Sequence, residues 1–157
     1  MQLTALKEAG PHGFETAEFL FAPNPGEPAK PLKVIASSGE ISRVMLAVKS
    51  ALAAQDTVSL LVFDEIDANV GGEIAHAVGA KMRSLGEGHQ VICITHLPQV
   101  AAAAAEQFVV TKDFADERTV SRLNKVEGKT RVEEVARMLG GKSDSALAHA
   151  KTLLNAH

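Results

Sequence analysis

The sequence predicts an α/β fold built on parallel strands. Two continuous apolar runs, at residues 58–63 and 90–95, have the length and composition of buried strands. Segments with helical spacing of apolar residues follow them, so strands and helices alternate through the middle of the chain. The two runs end roughly 30 residues apart, which is the length of one βαβ crossover.

Other strands are predicted on either side of this centre. The segment 14–21 alternates loosely between polar and apolar residues and predicts a strand, and the Pro- and Gly-containing segment 22–31 predicts an extended loop. The strings "QFVVTKD" and "RTVSRLN" predict a pair of outer strands joined by a turn at 113–117. We expect the run at 58–63 to be covered on both faces, as strands of buried parallel sheets are.

The helices are predicted from apolar residues that recur on one face and from capping residues. An alanine-rich segment at 97–106 predicts a short helix. Near the C-terminus, Thr130 and Glu133 have the spacing of a capping box, Gly140 ends that helix, and Ser143 caps the last one. The apolar faces of the two central helices comprise Ile41, Val44, Met45, Val48 and Leu52 in the first, and Ile74, Val78, Met82 and Leu85 in the second.

Length and composition indicate a single globular domain and give no sign of a membrane protein or a disulfide-rich protein. The 157 residues, 46% of them apolar, are enough for one domain with its own core. The net charge of −3 gives no basic signature of nucleic-acid binding. A single cysteine, Cys93, cannot form an internal disulfide and is expected as a buried thiol in a reducing cytoplasm. No apolar run approaches the roughly 18 residues of a membrane span, so no membrane association is expected.

Two acidic residues stand directly after the first apolar run, in "LLVFDEID" at 60–67. Ligands of open α/β sheets bind at the carboxyl ends of strands, where Asp64 and Glu65 are expected. In phosphoryl chemistry the first carboxylate holds Mg²⁺ through water and the second polarises an attacking water. The alternative is that two acids simply end a strand and cap the following turn.

A histidine, His96, ends the second apolar run. If the two strands are neighbours, His96 opens into the same crevice as Asp64 and Glu65, where it can donate to a γ-phosphate oxygen. A lone histidine is more often structural, so the functional interpretation depends on its proximity to the two acids.

The string "SSGE", at 37–40, precedes the first central helix. A helix start offers unsatisfied N–H groups and the positive end of the helix dipole. Ser37 and Ser38 add hydroxyl donors, and Gly39 permits close backbone approach, which together favour an anion site. The alternative is that Ser38 is an ordinary N-cap.

In chain order, the three elements are "SSGE", "LLVFDEID" and His96. They resemble, respectively, the signature motif, the Walker B motif and the switch histidine of an ABC-type ATPase head. The longer strings "LLVFDEIDANVGG", "HQVICITHLPQVAAAAAEQFVV" and "RVEEVARMLGG" resemble the C-terminal end of the RecN family of DNA repair proteins, relatives of the SMC proteins. The resemblance runs from about residue 13 to the C-terminus. It implies that residues 1–157 form the C-terminal lobe of such a head, a mostly parallel sheet flanked by helices with an outer strand pair.

The resemblance also implies roles in binding and hydrolysing ATP with Mg²⁺. Asp64 corresponds to the Walker B acid that organises Mg²⁺ through water, and Glu65 to the base for the attacking water. Asp67 occupies the D-loop, which couples two sites across a dimer, and His96 is the switch histidine. The signature residues, expected to contact ATP held by an opposite head, are Ser37, Ser38, Gly39 and Glu40, with Ser38 where the family commonly has glycine.

A phosphate-cradling Walker A loop is not expected in this chain. The nearest string, "ARMLGGKS" at 136–143, follows a predicted helix, whereas a Walker A loop follows a buried strand. The family carries Walker A in an N-terminal segment followed by a coiled coil, so the resemblance implies a fragment that is inactive alone. The implied partners are that N-terminal segment, a second head in a homodimer, and DNA, in the bacterial cytoplasm at the nucleoid.

The sequence is also compatible with two other functions. One is a non-catalytic lobe for dimerisation or DNA tethering. The other is a stand-alone enzyme that uses 136–143 as its phosphate loop. The basic residues Arg43, Lys49 and Lys112 receive no role from the sequence.

Overall fold

The computed structural model describes residues 1–22, 26–35, 37–55, 57–115, 118–141 and 143–156. Strands and helices alternate through the centre, as predicted. The strands are β1 (Gln2–Gly10), β2 (Gly13–Glu18), β3 (Leu20–Phe21), β4 (Lys30–Pro31), β5 (Leu60–Phe63), β6 (Gln90–Cys93), β7 (Gln107–Ala115) and β8 (Arg118–Val126). The helices are α1 (Leu32–Ile35), α2 (Ser38–Ala51), α3 (Gly72–Leu85), α4 (Pro98–Ala103), α5 (Gly128–Met138) and α6 (Asp144–Asn155).

A parallel strand pair forms the centre of the fold. β5 and β6 pair residue by residue, from Leu60 opposite Gln90 to Phe63 opposite Cys93. The connection between them contains α3, so the predicted βαβ unit is present. β7 and β8 pair antiparallel over their whole length, which confirms the predicted outer strand pair.

One hydrophobic cluster supports β5 and β6. Alternate residues of β5, Leu61 and Phe63, are buried, and the following Ile66 is fully buried. Helix α3 packs closely against α4 at Gly79. The absence of a side chain there permits the contact, since an added Cβ would lie only 3.0 Å from the Cβ of Ala103. The other buried members of the cluster are Leu46, Ala75, Val78, Met82, Leu85 and Val100.

A second cluster joins the C-terminal helices to α4. Its buried residues lie on α4, α5 and α6 and make one continuous apolar contact. Arg131 of α5 reaches back to the end of α4, where it donates to carbonyl oxygens in the last turn of the helix and directly after it. The residues of this cluster are Ala102, Val135, Ala136, Ala150 and Leu153, and the carbonyls bound by Arg131 belong to Ala101, Ala102, Ala104 and Ala105.

The prediction that the run at 58–63 is covered on both faces is wrong for this chain. Leu61 and Phe63 are 8% and 3% exposed, whereas Leu60 and Val62 are 46% and 60% exposed. The helices of the described residues pack on the face that carries Leu61 and Phe63. The opposite face is apolar and open to solvent.

Two helix starts also differ from the predictions. Ser37, and not Ser38, is the N-cap of α2. Helix α5 begins at Gly128, so its capping box joins Glu127 and Thr130 in place of Thr130 and Glu133. The Thr130 hydroxyl accepts from the Glu127 N–H at 3.2 Å, and this contact starts the helix earlier than the sequence indicated.

The remaining predictions are confirmed in part. The predicted strand at 14–21 forms β2 and β3. Strand β1, which pairs antiparallel with β2, was not predicted. The predicted helix at 97–106 is shorter and ends at Ala103. Ser143 caps α6 by accepting from the Ala146 N–H at 3.3 Å, as predicted.

Parts of the predicted loop and turn, residues 23–25 and 116–117, lie outside the described residues. None of the helices in the described part of the chain has the length and apolar character that a membrane span requires.

Candidate functional site

The parallel register brings the predicted carboxylates and the histidine to one edge of the sheet. The N–H of Ile94 donates to the Phe63 carbonyl oxygen at 2.9 Å, so the chain segments after β5 and β6 leave the sheet side by side. An open pocket of about 250 Å³ lies between them. Its lining residues are Asp64, Glu65, Asp67, Ile94, Thr95 and His96.

The turn after β5 contains a left-handed residue at an exposed position. Glu65 has φ +55°, a conformation that costs a residue other than glycine about 1–3 kcal/mol. The Glu65 N–H donates to Asp64 Oδ1 at 2.9 Å, and the Glu65 carbonyl accepts from the Ala68 N–H at 3.0 Å. Ile66, fully buried, anchors the turn in the core. The strained turn therefore presents the Asp64 and Glu65 side chains to solvent at the pocket.

Asp67 connects this turn to the segment after β6. Its carboxylate is 3% exposed, and its Oδ2 accepts from the Thr95 hydroxyl and from the His96 N–H at 2.9 Å. The ring Nδ1 of His96 lies 3.2 Å from the same oxygen. Burial opposes the charged form, but the hydrogen bonds from Thr95 and His96 outweigh it and lower the pKa of Asp67. Asp67 is therefore an ionised acceptor that ties the two strand ends together.

The start of α2 packs directly against the turn. Ser42 Oγ donates to the Asp64 carbonyl at 2.8 Å, and Arg43 donates to the carbonyls of Ile66 and Ala68, both at 3.1 Å. A Cβ on Gly39 would lie 2.9 Å from the Glu65 carbonyl oxygen, closer than side chains tolerate. Gly39 therefore allows close approach to the chain's own turn, a contact the sequence did not predict.

The hydroxyl of Ser37 and the carboxylate of Glu40 bind each other. Ser37 Oγ donates to Glu40 Oε2 at 2.9 Å, and the Glu40 N–H donates back to Ser37 Oγ at 3.3 Å. Hydrogen bonds from the Ser37 N–H and hydroxyl lower the pKa of Glu40. Of residues 37–40, Gly39 lies against the Glu65 carbonyl oxygen, but none of the four lines the pocket that Asp64, Glu65 and His96 share.

The pocket offers Mg²⁺ carboxylate oxygens but, among the described residues, no cluster of protein ligands. Within the described ranges, no group of three or more His, Cys, Asp or Glu residues is placed to hold a metal ion. Mg²⁺ commonly takes one or two carboxylates and completes its shell with waters and phosphate oxygens. The exposed carboxylate of Asp64 fits that kind of site.

The string at 136–143 is a helix end. α5 stops at Met138, and Gly140 and Gly141 have φ of +108° and +153°, which only glycine adopts readily. Lys142 lies outside the described residues. These glycines terminate a helix, as expected from the sequence, and no strand leads into them.

Three residues near the pocket were missed or left without a role by sequence reasoning. Thr95 binds Asp67, and its place directly before His96 was the available signal. Ser42 and Arg43 bind the turn; Arg43 lies four residues after Gly39 and so on the same helix face. The partly buried Arg43, which the sequence left without a role, therefore holds the turn that carries Glu65.

Curated relatives match nearly the whole chain. The DNA repair protein RecN of Treponema pallidum (strain Nichols) is 51% identical over 154 residues, which are 97% of this chain and 27% of that protein. The chain matches the C-terminal part of RecN. RecN of Xylella fastidiosa (strain Temecula1 / ATCC 700964) is 52% identical over 140 residues, 89% of this chain and 25% of that protein. The chain thus spans about a quarter of the length of these RecN proteins.

Comparison with solved structures shows the fold. A chain from structural work on ATP-driven dimerization and DNA-stimulated activation of SMC ATPases matches with a TM-score of 0.50 at 18% identity. The match covers 79% of this chain and 81% of that one. The predicted α/β fold of an ABC-type ATPase lobe is confirmed. No protein-family model matches the sequence.

Proposed function

We propose that this chain is the C-terminal lobe of an ATP-hydrolysing head in a RecN-like protein of DNA double-strand-break repair and recombination. The observation that carries the proposal is the shared pocket of Asp64, Glu65 and His96 at the ends of two parallel strands. Ligands of α/β sheets bind at this edge. The match to RecN supports DNA repair as the process in which the head acts.

In this proposal the exposed side chains at the pocket divide the chemistry among them. Asp64 holds Mg²⁺ through water, and bound Mg²⁺ neutralises charge on the phosphates. Glu65 accepts a proton from the attacking water, for which its exposed position at the pocket is suitable. His96 donates from its ring to a γ-phosphate oxygen and so stabilises the charge that develops there.

An N-terminal segment of the same protein supplies the Walker A loop. The open apolar face of the β5–β6 pair supports this part of the proposal. A partner segment that covered it would stabilise the complex by about 1.5–3 kcal/mol for each large apolar side chain that it buries. A partner segment that covers this face would lie beside the pocket. The exposed apolar residues available to it are Leu60, Val62 and Ile92 on the strands and Ile94 directly after β6. Helix α2 and its C-cap expose further apolar residues, namely Ile41, Met45, Val48 and Leu52.

A second head completes the site in a homodimer. The signature residues 37–40 lie outside the pocket lining, which fits a role toward ATP held by another copy. Asp67, in the D-loop position, lines the pocket and would couple the two sites. The assembled protein acts on DNA in the bacterial cytoplasm, at the nucleoid.

Reassembly of the head tests the proposal. We expect this chain alone to hydrolyse ATP at background rate, and a mixture with the N-terminal segment to hydrolyse it, faster when DNA is added. Background rates in the mixture would favour the alternative, a non-catalytic lobe for dimerisation or DNA tethering. ATP binding by the chain alone that is lost in Lys142→Ala would instead favour a stand-alone phosphate loop at 136–143.

A further inference from the structure

We propose that Asp67 is a positioning residue that fixes the ring of His96 for its contact with phosphate. This inference deepens the proposed function and rests on it. It assigns Asp67 a role within its own chain, toward a side chain of the same pocket, in addition to the coupling expected of a D-loop residue.

The contacts of Asp67 carry the proposal. Its Oδ2 accepts from the backbone N–H groups of His96 and Leu97, at 2.9 and 3.3 Å, and from the Thr95 hydroxyl. The Leu97 N–H also donates to Thr95 Oγ1 at 3.0 Å. One buried oxygen thus receives hydrogen bonds from three consecutive residues, which lie 28–30 positions after Asp67 in the chain. This arrangement fixes the backbone on both sides of His96.

The side chain of His96 is mostly exposed to solvent among the described residues. Its side chain is 72% exposed, so solvent alone would leave the ring free to change rotamer. The 3.2 Å contact between Nδ1 and Asp67 Oδ2 selects one orientation. Because an ionised carboxylate only accepts hydrogen bonds, Nδ1 must carry a proton in this contact.

A proton on Nδ1 determines what the other ring nitrogen can do. Nε2 is left outside the contact with Asp67, as the ring nitrogen available to a ligand in the pocket. In the neutral ring with its proton on Nδ1, Nε2 can only accept, so the ring that donates to phosphate is the doubly protonated one. In that ring Nε2–H binds a phosphate oxygen while Nδ1–H stays on Asp67. Without Asp67, the neutral ring is free to place its proton on either nitrogen and to turn away from the pocket.

The first test reads the ring itself. In the 157-residue chain, ¹⁵N chemical shifts should show the neutral His96 ring protonated on Nδ1. His149, exposed on α6, serves as an internal reference for a ring without this carboxylate. In Asp67→Asn we expect the His96 shifts to move to the pattern of His149. A wild-type His96 ring protonated mainly on Nε2 would overturn the proposal without any variant.

The second test reads turnover in the head reassembled from this chain and the N-terminal segment. We expect Asp67→Asn to lower kcat for ATP hydrolysis by roughly ten- to a hundredfold, the usual effect of losing a residue that orients a functional histidine, with KM little changed. In a His96→Ala background the same substitution should lower kcat no further, because its effect passes through the ring. An equal further loss in that background would overturn the proposal.

Thr95→Val is the matched control. It removes a buried hydrogen bond from the same carboxylate and leaves Nδ1 of His96 in contact with it. We expect unchanged ring shifts and a smaller loss of kcat than in Asp67→Asn. Equal losses with unchanged ring shifts in both variants would mean that Asp67 only holds the fold. If the wild-type head shows no hydrolysis, the proposed function fails, while the ring shifts still decide whether Asp67 orients His96.

Discussion

Arg43 donates to the carbonyl oxygens of Ile66 and Ala68, and so joins the start of α2 to the turn that carries Glu65. The turn contains a left-handed Glu65 and has few hydrogen bonds of its own. Ser42 and Gly39 of the same helix also contact this turn, so α2 holds the turn at three points. In the proposed head, these are the contacts through which a shift of the signature helix would move the turn that carries Glu65.

Replacing Arg43 should loosen the turn. Arg43→Met leaves two carbonyl groups without their donor, and we expect it to lower the free energy of unfolding by about 1–3 kcal/mol. Hydrogen exchange at the Ala68 amide, which donates to Glu65, should accelerate. Lys81→Met, on the exposed face of α3, is the control and should change neither quantity. Unchanged exchange at Ala68 in the Arg43 variant would contradict this role.

Gly39 should be intolerant of any side chain. Gly39→Ala places a Cβ 2.9 Å from the Glu65 carbonyl oxygen and 3.0 Å from the Cβ of Ala68, so the helix or the turn must shift. We expect a loss of about 1–3 kcal/mol in the free energy of unfolding, measured by urea denaturation. At Gly88 no atom lies within 4 Å of the added Cβ, so Gly88→Ala should cost under about 0.5 kcal/mol. Equal effects of the two substitutions would show that α2 does not approach the turn this closely.

The lowered pKa of Asp67 predicts a dependence of stability on pH. The stabilising contribution is complete above about pH 3.9, the usual pKa of an unfolded aspartate, and is lost as pH falls through the lower pKa of the folded chain. The wild type should therefore lose stability on acidification more steeply than Asp67→Asn. Urea denaturation at several pH values below about 5 measures the difference. Equal acid slopes for the wild type and Asp67→Asn would contradict this contribution of the carboxylate.

The position of the pocket could be predicted because it depends on regular structure. Two apolar runs one crossover apart become neighbouring parallel strands, and whatever follows them meets at one edge. Asp64, Glu65 and His96 were identified in this way, and the structure places all three around one pocket.

The contacts that shape the pocket could not be predicted, because they depend on an irregular turn. The donors to the Asp67 carboxylate and the approach of Gly39 to Glu65 involve a turn with a left-handed residue at position 65, which no periodicity indicates. The open face of β5 was mispredicted for another reason. Apolar content shows that Leu60 and Val62 favour burial, but it does not show which chain segment buries them.

The proposed function assigns Glu65 the activation of water for ATP hydrolysis, and Glu65→Gln in the reassembled head tests this role. The amide cannot take a proton from water, so turnover should fall by about a hundredfold or more while ATP binding and the ATP-dependent dimer persist. Glu87→Gln, at an exposed carboxylate after α3, controls for the loss of charge and should hydrolyse ATP at the wild-type rate. Wild-type turnover by Glu65→Gln would contradict the account.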